Sequence, residues 1–207
     1  LIEFLDNTLK TVDEIEKYDL TVLGIIPAIG QAVKKNSFIS LLKKNSFNNN
    51  GKTKNIKRRL ITKEDPKSPV SEAYRSLRTS MLYSSSNEVK SILVSSAGPG
   101  EGKTTTVANL AITYANLGKR TILVDTDLRR PVVHKVFNID REPGITNFLA
   151  GQTDDISQLV KQTEIDNLSV ITSGIIPPNP SEMLGSQRMI KIVKILEQEW
   201  DMVLFDS

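Results

Sequence analysis

Short apolar runs alternate with amphipathic stretches in the second half of the chain. The runs predict four buried strands, at residues 92–94, 121–124, 168–171 and 202–205. The stretches between them predict a helix over residues 103–117 that Gly118 ends, and a long helix over residues 181–199. Because buried strands that alternate with helices are typical of βαβ units, we expect an α/β fold, a parallel sheet with helices on both faces.

The first half of the chain carries weaker patterns. Ala73, Leu77 and Met81 follow one another at four-residue spacing, which predicts a helix from Ser71 to about residue 84. Nearer the start, residues 2–18 have a helical pattern, and residues 20–26 predict a short strand that ends before a proline. The uncharged runs are shorter than the roughly 20 apolar residues that a membrane span needs, so no transmembrane helix is predicted.

The charge distribution divides the chain more clearly than its composition does. The 207 residues include no cysteine, which excludes a disulfide framework and thiolate-bound zinc within the chain. Ten of the 27 basic residues lie at positions 34–63, which hold no acidic residue. The rest of the chain has 17 basic and 24 acidic residues, so its net charge is −7. We therefore interpret residues 34–63 as a basic flexible linker between residues 1–33 and a domain over residues 64–207.

The linker's basic charge is compatible with binding to nucleic acid, with binding to anionic lipid, or with solvation alone. Only Phe38 and Phe47 are available there for base stacking, and no nucleic-acid recognition fold surrounds them, so no nucleic-acid partner is expected. Contact with anionic headgroups and a solvated spacer both stay open.

A glycine-rich loop joins the first predicted strand to the helix after it. Its glycines let consecutive N–H groups turn toward a phosphate at the helix N terminus, Lys103 reaches the β- and γ-phosphates, and the Thr104 hydroxyl is placed for Mg²⁺. Ala97 stands where such loops usually begin with glycine. The loop predicts ATP or GTP binding through Gly98, Gly100, Glu101, Gly102, Lys103, Thr104 and Thr105.

Carboxylates follow two of the predicted strands directly. Asp125 and Asp127 come after the second strand, and Asp206 comes after the last one. Ligands of open α/β sheets bind outside the carboxyl ends of the strands, so these side chains should meet the glycine-rich loop at one rim. Phosphoryl transfer needs a metal held against the phosphates and a residue that orients or deprotonates the nucleophile, and these carboxylates could supply both.

Together these motifs resemble the bacterial tyrosine kinases of capsular and exopolysaccharide export, which are built on a P-loop NTPase scaffold. Residues 99–104 resemble the family's Walker A motif, residues 125–131 its additional Walker A′ box, and residues 205–206 the start of its Walker B motif. Residues 72–78 resemble the helix that packs neighbouring subunits into a ring, and residues 177–184 also look like a family segment. Residues 1–27 are similar to the membrane-proximal end of a chain-length-determinant region.

The resemblance implies ATP-dependent phosphorylation of tyrosine with Mg²⁺. It implies catalytic roles for Lys103, Asp125 and Asp127, with Asp125 as the base, and metal binding by Thr104, Asp127 and Asp206. It implies a ring-shaped homo-oligomer formed through Glu72, Arg75 and Arg78. The implied partners are acceptor tyrosines of neighbouring subunits and the polysaccharide export machinery, and the implied location is the cytoplasmic face of the bacterial plasma membrane.

Two other functions stay open. MinD/ParA partitioning ATPases share the loop but carry a second lysine five residues before the loop lysine, where this sequence has Gly98, so the kinase is favoured. A chain-length scaffold that binds ATP only for assembly is the third possibility. The sheet is expected to be incomplete at its C-terminal end and the acceptor tyrosines to lie in a further segment, because the chain's own are scattered: Tyr18, Tyr74, Tyr83 and Tyr114.

Overall fold

A five-stranded sheet forms the centre of the computed structural model, which describes residue 15, residues 17–27 and residues 60–207. The strands are β1 (Ser91–Val94), β2 (Thr121–Asp125), β3 (Val160–Gln162), β4 (Leu168–Ile171) and β5 (Met202–Asp206). They lie in the order β1-β5-β2-β4-β3, and the first four in this order are parallel. The predicted parallel sheet is thus confirmed for four strands. The edge strand β3 was not predicted, and it pairs antiparallel with β4 because a short turn joins the two.

Helices cover the sheet on both faces, as predicted. Within residues 60–207 they are α1 (Ile61–Glu64), α2 (Pro69–Tyr83), α3 (Lys103–Ala115), α4 (Val133–Phe137), α5 (Ile145–Leu149), α6 (Pro180–Leu184) and α7 (Gln187–Glu199), with a 3-10 turn at Ile156–Gln158. No helix in the described part of the chain is long and apolar enough to cross a bilayer.

Successive residues of the central strands face opposite sides of the sheet. Leu123 and Leu204 belong to the core that contains α3, whereas Val124 and Val203 belong to the core that contains α5 and α7. Every residue of β2 and β5 is buried, as expected of strands that are covered on both faces. The two cores, one on each face of the sheet, hold β2 and β5 in place and so position the residues at the ends of these strands.

Two predicted helix boundaries are wrong because capping residues were overlooked. Helix α2 begins at Pro69, since the Ser68 side chain accepts a hydrogen bond from the N–H of Ser71, and proline is well suited to the first helical position. The predicted helix over residues 181–199 is two helices. Ser186 starts α7 by accepting a hydrogen bond from the Met189 N–H, which separates α7 from α6.

The predicted strand over residues 20–26 is absent. These residues have no regular structure in the described part of the chain, and Gly24 lies against the Leu77 side chain of α2 instead of beside a partner strand. The predicted helix over residues 2–18 lies mostly outside the described residues.

The predicted boundary between linker and domain, after residue 63, falls inside helix α1. Both the backbone N–H and the hydroxyl of Thr62 donate hydrogen bonds to Asn109 Oδ1 of α3, at 3.0 and 2.9 Å. Ile61 and Thr62 are buried. The basic composition of residues 34–63 conceals this short helix, so the folded domain already includes residues 60–63.

Candidate nucleotide-binding site

The glycine-rich loop leads from β1 into the N terminus of α3, the setting that the sequence predicts. Gly100 and Gly102 have φ angles of +82° and +99°, in the left-handed region that favours glycine. Helix α3 begins at Lys103, and the N–H of Thr106 donates to the Gly102 carbonyl at 2.8 Å. The loop therefore presents the positive end of a thirteen-residue helix at the rim of the sheet.

The first turn of α3 is joined directly to the end of β5. The Thr104 hydroxyl donates a hydrogen bond to Asp206 Oδ2 at 2.6 Å, and both residues are buried. The two residues predicted to bind Mg²⁺ from the loop and from the last strand therefore lie in contact. Thr105, the other loop threonine, is half-buried, and its carbonyl accepts a hydrogen bond from the Asn109 side chain.

Asp125 lies beside Asp206 on the neighbouring strand, because the two residues are in register at the ends of β2 and β5. Asp125 is completely buried, and its Oδ2 accepts a hydrogen bond from the Val133 N–H at 3.2 Å. Burial raises the pKa of Asp125 to about 7, and the nearby negative charge of Asp206 acts on it in the same direction. Asp125 is thus a carboxylate that exchanges a proton near neutral pH.

Asp127 faces the loop lysine across the rim. Its Oδ2 lies 3.9 Å from Lys103 Nζ, and both side chains are about one-fifth exposed. The other oxygen of Asp127 accepts hydrogen bonds from the N–H groups of Arg129 and Arg130. The turn after β2 therefore fixes the carboxylate that forms an ion pair with Lys103.

Thr126 is a site residue that the sequence interpretation missed. Its backbone N–H and its hydroxyl both donate to the Asp206 carbonyl, at 2.8 and 2.6 Å. These bonds tie the end of β2 to the end of β5 and so hold the carboxylates of both strands in place. Its position between Asp125 and Asp127 is the sequence signal that could have indicated a place in the site.

The donor set fits Mg²⁺ bound together with a phosphate. A threonine hydroxyl and carboxylates supply the oxygen ligands that Mg²⁺ prefers, and Lys103 with the helix N terminus suits a polyphosphate. Among the residues that the structure describes, no group of three or more acidic, histidine or cysteine side chains could hold a metal alone. Mg²⁺ commonly takes one or two carboxylates, with water and phosphate oxygens completing its shell, and this site matches that pattern.

A cavity of about 490 Å³ opens beside the rim. Thr126, Asp127 and Arg129 line its polar edge, and Arg129 reaches Ser181 of α6 at 3.5 Å. Its remaining lining is mostly apolar and includes Leu93, Leu184, Met189, Val193 and Phe205.

The residues predicted to form a subunit interface lie on α2, away from the rim. Glu72 and Arg75 form an ion pair one turn apart, and Arg75 also donates to the Pro66 carbonyl. Arg78 is partly buried and donates from Nη1 to the Thr113 carbonyl of α3 at 2.6 Å. Glu72 and Arg75 therefore face outward, whereas Arg78 ties α2 to α3 within the chain.

Residues 89–207 match a family model described as an AAA domain. The tyrosine-protein kinase YwqD of Bacillus subtilis is 41% identical over 153 residues, 73% of this chain and 64% of the relative. The putative tyrosine-protein kinase CapB of Staphylococcus aureus is 36% identical over 149 residues, 72% of this chain and 65% of the relative. The chain thus spans a little under two thirds of these two proteins, and 28% of the tyrosine-protein kinase etk of Escherichia coli K12.

Solved structures show the same likeness. The chimerical protein CapA2B2 is 32% identical, with a TM-score of 0.76 over 95% of this chain and 74% of its own. The kinase domain of Escherichia coli ETK is 26% identical, with a TM-score of 0.79 over 96% of this chain and 73% of its own. The septum site-determining protein MinD of Pyrococcus horikoshii, 24% identical with a TM-score of 0.50 over 56% of this chain and 48% of its own, shares the fold alone.

Proposed function

The chain belongs to the AAA-domain family and, within it, to the bacterial tyrosine kinases, and on this premise we propose that it binds ATP with Mg²⁺ and transfers the γ-phosphate to tyrosine. The observation that carries this proposal is the 2.6 Å hydrogen bond between Thr104 and Asp206. It joins the glycine-rich loop between β1 and α3, which we call the phosphate loop, to the acidic end of a neighbouring strand. A metal-bound triphosphate requires this arrangement.

Lys103 and the N terminus of α3 supply the positive charge for the phosphates. We assign Thr104 and Asp206 to the metal shell, and Asp127 to the support of Lys103 and the metal, because Asp127 lies 3.9 Å from the lysine. Bound Mg²⁺ would neutralise charge that develops on the phosphate oxygens.

We assign Asp125 as the proton acceptor for the tyrosine hydroxyl. Its pKa of about 7 makes it a stronger base than an ordinary aspartate, and Oδ1 has no hydrogen-bond partner among the described residues. Phenol ionises near pH 10, so its proton leaves late, as the bond to phosphorus forms. Asp125 is completely buried, whereas Asp127 is partly exposed. A comparison of the turnover of Asp125→Asn with that of Asp127→Asn tests which of the two carboxylates acts as the base.

We also propose that the protein forms a homo-oligomer through the exposed face of α2. Glu72 and Arg75 present their charges on this face, and Arg78 supports it from within by its bond to α3. Acceptor tyrosines would then reach the site from neighbouring subunits. The location at the cytoplasmic face of the plasma membrane, the export machinery as partner and lipid contact through residues 34–63 are proposals that rest on the family resemblance, and most of that linker lies outside the described residues.

Replacing Lys103 by methionine in the full-length protein tests the kinase proposal. We expect Lys103→Met to abolish phosphotyrosine formed from ATP and Mg²⁺ while circular dichroism stays unchanged, because the phosphates lose a charge-assisted contact. Lys194→Met, an exposed lysine on α7, is the matched control and should keep the signal. Undiminished phosphotyrosine in Lys103→Met would refute the proposal. ATP hydrolysis without phosphotyrosine in the wild-type protein would instead favour a positioning ATPase.

A further inference from the structure

The side chain of Glu101 reaches back across the phosphate loop. The backbone N–H of Gly98 donates a hydrogen bond to Glu101 Oε2 at 3.0 Å, and the Gly98 carbonyl accepts one from the Ser96 hydroxyl at 2.8 Å. Two side chains of the loop itself therefore hold both polar groups of residue 98. Neither contact is needed to build α3, which begins at Lys103.

This contact also limits the space beside residue 98. A Cβ atom at this position would lie 3.1 Å from Glu101 Oε1, which is tighter than ordinary van der Waals contact. The φ angle of Gly98 is not in the left-handed region, unlike those of Gly100 and Gly102. A side chain at position 98 would therefore require a small shift of the Glu101 carboxylate, whereas the backbone conformation there does not require glycine.

An acidic side chain is an unexpected component of a loop that binds a polyphosphate. Its negative charge repels the phosphates, so it lowers nucleotide affinity unless it contributes something else. A carboxylate oxygen that accepts from a loop N–H does for the backbone what a phosphate oxygen does. Glu101 can therefore hold the loop in shape with an acceptor oxygen that belongs to the chain.

We propose that Glu101 is the positioning residue of the phosphate loop and that its carboxylate oxygen holds the Gly98 N–H as an internal hydrogen-bond acceptor. It keeps the loop in its phosphate-receiving conformation before the nucleotide arrives. The inference rests on the proposed function in one respect, namely that this loop binds a nucleotide. The contact between Glu101 and Gly98 can be tested without any nucleotide.

The first experiment compares Glu101→Gln with Glu101→Ala in the nucleotide-free protein. The glutamine amide oxygen can still accept from the Gly98 N–H, whereas alanine cannot. We expect hydrogen exchange of the Gly98 amide, followed by NMR, to be about tenfold faster in Glu101→Ala and near the wild-type rate in Glu101→Gln. Glu199→Ala, at the exposed C-terminal end of α7, is the matched control and should leave this amide unchanged. An unchanged Gly98 amide in Glu101→Ala would overturn the proposal.

The second experiment titrates Mg²⁺-ADP into the same variants. Glu101→Ala should bind about fivefold more weakly, since the loop must be ordered by the ligand, and Glu101→Gln should bind at least as tightly as the wild type, since the geometry stays and the repulsion goes. Equal gains in affinity in both variants would show that only charge matters and would overturn the positioning role. If the wild type itself bound no nucleotide, the proposed function would fail, whereas the exchange result for Gly98 would still decide the role of Glu101.

Discussion

The Thr104 hydroxyl donates to Asp206 Oδ2 at 2.6 Å although the two residues are 102 positions apart in the sequence. This contact brings together the first turn of α3, which follows the phosphate loop, and the last residue of β5. Both partners are oxygen ligands of the kind that Mg²⁺ prefers. Their contact in the folded chain indicates that the fold itself brings together the residues that we propose as metal ligands.

Replacing Thr104 by valine should remove the Mg²⁺ dependence of nucleotide binding. Valine keeps the shape of threonine but has no hydroxyl, so the site loses one oxygen ligand. We expect the gain in ADP affinity that Mg²⁺ gives to fall at least about tenfold, while ADP binding in EDTA changes little. Isothermal titration calorimetry with and without Mg²⁺ measures both quantities.

Thr104→Ser is the matched control, because it keeps the hydroxyl and should keep the Mg²⁺ effect. Thr104→Val also leaves Asp206 Oδ2 without this donor, which costs about 1–3 kcal/mol of stability, so its unfolding curve must be recorded in parallel. A folded Thr104→Val protein that kept the full Mg²⁺ effect would contradict the assignment.

The raised pKa of Asp125 should make the protein less stable as the pH rises. The pKa of Asp125 is about 7 in the folded state and has the ordinary value of 3.8 in the unfolded chain. At a pH between these two values the carboxyl is protonated in the folded protein but ionised in the unfolded chain. The free energy of unfolding therefore falls as pH rises through this window, by at most on the order of 4 kcal/mol. In Asp125→Asn this contribution should be absent.

Urea denaturation at pH 5 and pH 8, with EDTA present, measures whether the free energy of unfolding falls as the pH rises. The loss of stability between the two pH values should be clearly smaller in Asp125→Asn than in the wild type, and at pH 8 the Asp125→Asn protein should be the more stable of the two. The exposed variant Asp166→Asn should behave like the wild type. Equal losses in all three proteins would show that burial of Asp125 is not coupled to its ionisation.

The sequence predicts the central sheet well because buried strands carry an apolar signal of their own. All five residues of β2 and of β5 are buried, and runs of this kind need no information about partners. Strand β3 has only half-buried and exposed residues, so its pattern is too weak to indicate a strand before β4 is placed beside it. The break before α7 depends on one capping hydrogen bond, which the Ser186 side chain accepts from the Met189 N–H, and it leaves the helical periodicity almost unchanged.

The positions of Lys103, Thr104 and Asp206 at one rim were predictable, because the loop motif and the strand ends are visible in the sequence. The role of a residue was less predictable where it depends on which part of the fold the side chain contacts. Arg75 and Arg78 lie one turn apart on α2, yet only the Arg78 guanidinium reaches the Thr113 carbonyl, because α3 packs against that side of the helix. Sequence spacing alone could not separate the two arginines.

Arg78 and Arg75 should therefore respond differently to substitution. Arg78→Ala should lower the free energy of unfolding by about 1–3 kcal/mol, because a partly buried charge-assisted bond between α2 and α3 is lost. Arg75→Ala should cost less than about 1 kcal/mol, since its bonds to Glu72 and to the Pro66 carbonyl both lie at the protein surface. Urea denaturation of dilute protein measures both changes.

The same difference determines how the proposed oligomer is tested. Arg75→Glu should yield monomers by light scattering without unfolding the chain, whereas reversal of Arg78 would confuse loss of assembly with loss of stability. An Arg75→Glu protein that remained fully assembled would contradict an interface at this face of α2. Equal destabilisation by the two alanine variants would contradict the internal role of Arg78.

The contact between Thr62 and Asn109 leads to the last prediction, which concerns where the domain begins. Asn109 is completely buried, and its Oδ1 accepts two hydrogen bonds from Thr62. Asn109→Ala should therefore lower the free energy of unfolding by about 2–4 kcal/mol. Thr62→Val keeps the backbone N–H and should lower it by about 1 kcal/mol. The double variant should be more stable than the sum of the single losses predicts, by about 0.5 kcal/mol or more, because both substitutions remove the same hydroxyl–amide bond. Urea denaturation of the wild type and the three variants gives this coupling energy. If residues 60–63 were part of a solvated linker, as predicted for residues 34–63 as a whole, Thr62→Val would be neutral and the losses would simply add.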